Sequence, residues 1–190
     1  MHPLQAPLTE ILSLLTILGH GLIIMTAVLL VLLRGQKWPN WLVLIGQNGL
    51  WLAVIIAMIA TGGSLLYSDV IGLEPCLLCW YQRILMYPQV ILLSLASYWK
   101  DSRIVRYVLP MTLLGACVSA YHYTLQLGVN PYAPCSAVGY SVSCSDRFIL
   151  NYGYITIPMM GLTAFLLISL LLYLNYRVSQ ATSAKKSAGK

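Results

Sequence analysis

Cys76 and Cys79 form a Cys-x-x-Cys pair, Arg83 follows four residues after the second sulfur, and Cys135 and Cys144 form a second, wider pair. Paired thiols of this kind exchange disulfides through attack of a thiolate on sulfur. If the first pair opens a helix, Cys76, Cys79 and Arg83 fall on one stripe, with Arg83 about 6 Å along the axis from Cys79. A helix N-terminus stabilises a thiolate, so the position suits redox chemistry. It suits bracing poorly, because a Cys-x-x-Cys disulfide closes a very small loop and constrains little chain entropy. Two structural disulfides holding surface loops are nonetheless the other reading of the four cysteines. No metal is expected: four thiolates can bind zinc, but oxidising surroundings and the lack of a compact soluble core argue against it. Covalent haem needs a histidine directly after the pair, where Trp80 stands. His122, in AYHYTLQL, is either a hydrogen-bonded packing residue or a group that approaches a cofactor. Cys117, among Gly115, Ala116 and Ser119, is expected to be a small packing residue.

These groups must be positioned by a chain that is 59% hydrophobic and only 8% charged, with a mean hydropathy of +0.78. Soluble domains carry roughly 25% charged residues, so most of this surface must face lipid. Five segments are long and apolar enough to cross a hydrocarbon core of about 30 Å: 11–33, 42–66, 78–99, 105–127 and 155–176. The tail 178–190 is polar and is read as disordered. The loop 128–154 is rich in Gly, Pro, Ser and Tyr, a composition suited to presenting Cys135 and Cys144 to another protein.

The net charge of +6 does not imply nucleic acid, because the basic residues gather at the ends of apolar runs. Arg34, Lys37, Lys100, Arg103, Arg106, Arg177, Lys185, Lys186 and Lys190 make nine of the 11 basic residues, and five spans place all nine on one side. The positive-inside rule makes that side cytoplasmic, with the N-terminus and both cysteine pairs outside, where disulfides persist. Segment 11–33 has Glu10 and no basic residue before it, so it is expected to be an uncleaved helix and not a signal peptide. Arg83 then lies within the membrane boundary, where a cation is by default a functional group. Snorkelling towards head groups is the plainer alternative.

EPCLLCWYQRILMYP, the spacing within PCSAVGYSVSC and the HYTLQL run before it resemble the DsbB family, also called BdbC-like, over about residues 42–176. The resemblance implies an all-α integral membrane protein: a four-helix transmembrane bundle (42–177), preceded here by one additional N-terminal transmembrane helix and turn (1–41). It implies a bacterial inner-membrane thiol oxidoreductase with a quinone (ubiquinone or menaquinone) as cofactor and a DsbA-like thioredoxin-fold oxidase as partner. Cys76, Cys79, Cys135 and Cys144 would be the catalytic cysteines, paired 76–79 and 135–144, with Cys135 forming the mixed disulfide with the partner. Arg83 and His122 would be cofactor-binding. Gln82 stands where some members have an acidic residue, a departure that bears on proton handling. A non-catalytic membrane protein with structural disulfides is the competing class.

Overall fold

The computed structural model describes residues 3–34, 36, 38–129 and 143–188, with side chains described as far as Thr182. The chain is all-helical apart from a single β-bridge between Asn151 and Ile155 among the described residues. Helix α1 spans Gln5–Leu32. It begins earlier than the apolar run because Pro7 sits in the first turn, where its missing N–H would have had no helical acceptor.

The second expected span is two helices, α2 (Asn40–Gln47) and α3 (Gly49–Leu65), which then widens into a π-helical turn, Leu66–Val70. The break falls at Asn48, and the carbonyl of Gly46 beside it accepts a hydrogen bond from Asn175 Nδ2 at 2.9 Å. A buried polar group thus satisfies the backbone that the break exposes.

Helix α4 (Leu77–Trp99) carries an internal Pro88, and α5 (Val105–Gln126) an internal Pro110. They are tied by buried Gln89, whose Nε2 donates to Leu85 O and whose Oε1 accepts from Thr112 Oγ1. Helix α6 runs from Ile157 to Ala188, so 178–188, expected to be disordered from composition, is helical.

Helices α3, α4, α5 and α6 form the four-helix bundle, and α1 and α2 lie against α6. Leu50, Val54, Met86, Leu93, Val108, Phe165, Ile168 and Leu172 fill its core. Gly115 is required where α5 crosses α6, because a Cβ there would overlap the Phe165 ring. Cys117 does not pack between helices as expected. It is exposed, turned out of the α5 face that buries Gly115, Ala116 and Ser119.

Large apolar side chains cover the outside, among them Ile24, Ile84, Ile91 and Leu114. This is an all-α membrane protein. Among the described residues, four helical stretches are long and apolar enough to span: Gln5–Leu32, Gly49–Val70, Ser102–Gln126 and Ile157–Thr182. Helix α4 falls outside that set although its 23 residues would reach about 35 Å. Gln82, Arg83 and Gln89 lower its hydropathy, and all three bond to groups within the bundle.

Candidate redox site

Cys76 is the N-cap of α4, with extended backbone (φ −71°, ψ 172°), and its Sγ accepts from the Cys79 N–H at 3.4 Å. Cys76 and Cys79 are free thiols with their sulfurs 3.0 Å apart. One helical turn cannot bring i and i+3 sulfurs much closer without bonding them, so the pair is arranged for disulfide closure. Cys76 is buried, and its thiol is pushed down to about 4. The hydrogen bond from Cys79 is the largest cause, and the hydrogen bond and charge of His122 add to it against the opposing effect of burial.

His122 comes from α5 and is 1% exposed. Its Nε2 lies 3.6 Å from Cys76 Sγ, and its Nδ1 lies 3.0 Å from Gln82 Nε2. Both ring nitrogens are thus engaged, one by the Cys76 sulfur and one by the Gln82 amide. Gln82 reaches this position because α6 has a glycine opposite it. A Cβ on Gly161 would lie 3.2 Å from Gln82 Oε1.

Arg83 does lie in the bundle near Cys79. Its Nε donates to Ser64 Oγ at 3.0 Å and its Nη2 to Ser64 O at 3.2 Å. The Ser64 carbonyl, just before the π turn that follows α3, also accepts from Ser68 Oγ at 3.3 Å. Tyr87 OH donates to the same Ser64 Oγ, and the Trp80 ring lies 5.4 Å from the guanidinium carbon.

Cys79, Gln82 and Arg83 line one end of a cavity of about 380 Å³ between α1, α3, α4 and α6. Ser64 and Tyr87 bond to each other and line it beside Arg83; Glu74, Tyr67, Thr16 and Thr163 are its further polar residues, and the rest is mostly Leu, Ile, Ala, Met and Phe. On the other side of the thiols is a small pocket lined by Cys76, Cys79, His122 and loop residues including Ser143 and Asp146. Cys79 therefore borders both spaces, whereas Cys76 and His122 border the outer one only.

Cys144 is disulfide-bonded and buried, and packs in one apolar cluster with Cys76, Leu78 and Leu125. Gln126 Nε2 donates to Asp146 O, and Arg147 Nε donates to Gln126 O, fastening this stretch to the end of α5. Cys135 and its expected pairing lie outside the described residues.

The structure thus brings together Cys76, Cys79, Arg83, His122 and Cys144. It separates His122 from the cavity that Arg83 borders. Sequence reading missed Ser64, Tyr87 and Gly161. Tyr87 alone carried a local signal, four residues after Arg83 on the same helical face.

The family model described as "Disulfide bond formation protein DsbB" matches residues 47–175. Disulfide bond formation protein C of Bacillus subtilis (strain 168) is 45% identical over 121 residues, 63% of this chain and 86% of the relative. A probable disulfide formation protein of Metapseudomonas resinovorans is 37% identical over 132 residues, 68% of this chain and 90% of the relative. One of Coxiella burnetii (strain Dugway 5J108-111) is 39% identical over 134 residues, covering 70% and 90%. No solved structure is a significant match.

Proposed function

Because the chain belongs to the disulfide bond formation protein DsbB family, we propose that it reoxidises an extracytoplasmic DsbA-like thioredoxin-fold dithiol and passes the electrons to a membrane quinone. It is a multi-pass membrane protein of disulfide bond formation. The finer reading rests on one observation above the others: Cys79 stands between a loop-side pocket and an apolar cavity, with Arg83 beside it in the cavity wall.

The relay proceeds by thiol–disulfide exchange. A thiolate of the partner attacks Cys135 of the Cys135–Cys144 disulfide, releasing Cys144 as the leaving thiolate. The partner's second thiol then resolves the mixed disulfide and leaves with the new disulfide, and the loop pair is reduced. The loop dithiol next reduces a Cys76–Cys79 disulfide: one loop thiolate attacks Cys76 and displaces Cys79, and the second loop thiol then closes the loop disulfide and releases Cys76. Burial of Cys144 in the same cluster as Cys76 supports that order. Cys76 is suited to leave as a thiolate, since its low pKa makes it the better leaving group.

The cavity fits a lipid quinone, with a mostly apolar lining and the donors of Arg83 and Gln82 beside Cys79. When bound there, a quinone would supply a two-electron, two-proton acceptor. Arg83 and Gln82 would hold its polar head, and the guanidinium, fixed by Ser64, would offer charge and donors without reorganising. His122 contributes to the thiol side by stabilising the Cys76 thiolate, and Gln82 holds its ring in place.

The N-terminus is placed outside and the tail in the cytoplasm of the bacterial inner membrane. Purified protein in liposomes tests the reading. It should oxidise a DsbA-like dithiol only when ubiquinone or menaquinone is present, and Cys79→Ala should abolish this. Oxidation that proceeds equally without quinone would overturn the quinone step, and no oxidation at all would leave the cysteines as structural disulfides.

A further inference from the structure

Helix α1 lies wholly outside the family match, which begins at residue 47. It is nevertheless a wall of the cavity that reaches Cys79. Leu12, Leu15, Thr16, Leu18, Gly19 and Leu22 all line it. From residue 12 to residue 22 the helix rises about 15 Å, far longer than one ring, so the cavity is a cleft extending away from Cys79 along α1.

Three features keep the cleft open and apolar. The face of α1 that is buried consists only of Ser13, Thr16 and Gly19, too narrow to seal against two helices. The Thr16 hydroxyl donates to Leu12 O at 2.7 Å, so it needs no partner in the cleft. Leu15, Leu18 and Leu22 are 43%, 64% and 51% exposed while still lining the cavity, which opens it sideways to the bilayer.

The helix is also fixed in place, as a wall must be. Asn151 Nδ2 donates to Glu10 and to Ser13 Oγ, Tyr152 OH donates to Glu10, and Tyr67 OH donates to Thr9 Oγ1. Further along, His20 Nε2 lies 2.9 Å from Thr163 Oγ1, beside Gly19, where a Cβ would sit 2.8 Å from Thr163 Cγ2.

We propose that α1 forms a subsite for the isoprenoid tail of the quinone whose head lies at the Cys79–Arg83 end. This rests on the quinone reading given above. The occupant is argued from continuity: one cleft joins a polar, thiol-bearing end to an apolar trough open to lipid. A tailed quinone has that same division along its length, and a ring alone would leave the trough unfilled.

The test uses the full-length protein in phosphatidylcholine nanodiscs. A quinone bearing a photoreactive diazirine at the end of an isoprenoid tail is irradiated with the protein, and the labelled peptide is mapped. Label is expected within residues 12–22, displaced by unlabelled tailed quinone but not by added phospholipid. In parallel, KM is measured for the tailed quinone and for a ring-only quinone. Leu15→Trp should raise KM for the tailed quinone by about fivefold or more, as expected for lost apolar contact. KM for the ring-only quinone should be unchanged. Leu14→Trp, on α1 but outside the cleft lining, is the control and should change neither.

Label found only outside 12–22, or equal displacement by phospholipid, would overturn the subsite while reduction by the parent protein left the quinone reading intact. An equal KM effect on both quinones would do the same. A parent protein that reduces neither quinone would overturn both.

Discussion

At the scale of single residues, two groups set the chemistry in different ways. Arg83 is held by Ser64 from the neighbouring helix, so its charge is fixed near Cys79 and does not reach for solvent. Arg83→Met keeps much of the stem and removes the charge and the planar donors. It should insert and fold, but its KM for quinone should rise about tenfold or more, in line with losing a charged hydrogen bond. Arg83→Lys should recover only part of this. Oxidation of the DsbA-like partner by the loop pair, followed in a single turnover, should stay near the parent rate in both. The second group is Cys76. Its thiol is ionised above a pH of about 4. Reduction of the Cys76–Cys79 disulfide then takes up one proton for two electrons. The midpoint potential should fall by about 30 mV per pH unit between pH 5 and 8, and not about 60 mV. As pH drops through about 4 the thiolate is protonated and the slope should steepen. Equilibration with a thiol–disulfide buffer at several pH values measures it, and a slope near 60 mV throughout would remove the thiolate. The two cysteines and Arg83 were legible in sequence because they are local to one helix. Their tuning partners were less so: His122 was singled out as a cofactor-binding residue, but its place beside Cys76, 46 positions away, was not legible, and neither was Ser64, 19 positions from Arg83.

Among the elements, hydropathy located every long helix, since lipid demands a run of about 20 apolar residues whatever the tertiary contacts are. It could not find the break at Asn48, which depends on Asn175 from a helix 129 positions away from Gly46. Nor could it show that α1 closes a cleft, because a helix apolar on all sides gives no sign of which side is covered. The tail was misread for a related reason: composition reports the lack of an apolar face, and the helix continues past it. Close packing of α5 on α6 provides a test at this scale. Gly115→Ala would drive a methyl into the Phe165 ring, and overpacking of this kind costs about 1–3 kcal/mol. The apparent Tm in detergent should fall by several degrees. Adding Phe165→Leu should restore most of the loss. A lowered Tm that the second change leaves untouched would place the strain elsewhere.

Across the whole molecule, the antiparallel bundle puts Cys76, Cys79 and Cys144 at the pole opposite to most of the described basic residues. Arg34 follows α1 and Arg103 and Arg106 sit at the start of α5 at one pole, where Arg177, within α6, lies over the Trp38 ring at 5.7 Å. Glu10, Asn151 and Tyr152 meet at the other, with α1 beginning beside the loop that follows Cys144. Topology reporters fused at Gly35 and Ser102 should therefore read cytoplasmic, and at Asn130 extracytoplasmic. An inverted pattern would take both cysteine pairs out of the oxidising compartment. This polarity was visible in the sequence, because charge asymmetry needs no knowledge of packing.

The account turns on whether the Cys76–Cys79 dithiol itself delivers electrons to a quinone. An anaerobic single turnover tests this on the full-length Cys135→Ser/Cys144→Ser variant, which retains only that pair and Cys117. The variant is reduced, freed of reductant and mixed with ubiquinone in one case and menaquinone in the other. Quinone absorbance is followed against titration of the remaining thiols. The account predicts that one quinone is lost for each Cys76–Cys79 pair converted to disulfide with at least one of the two acceptors. Quinone absorbance that stays constant with both, while Cys76 and Cys79 remain titratable thiols, would contradict it.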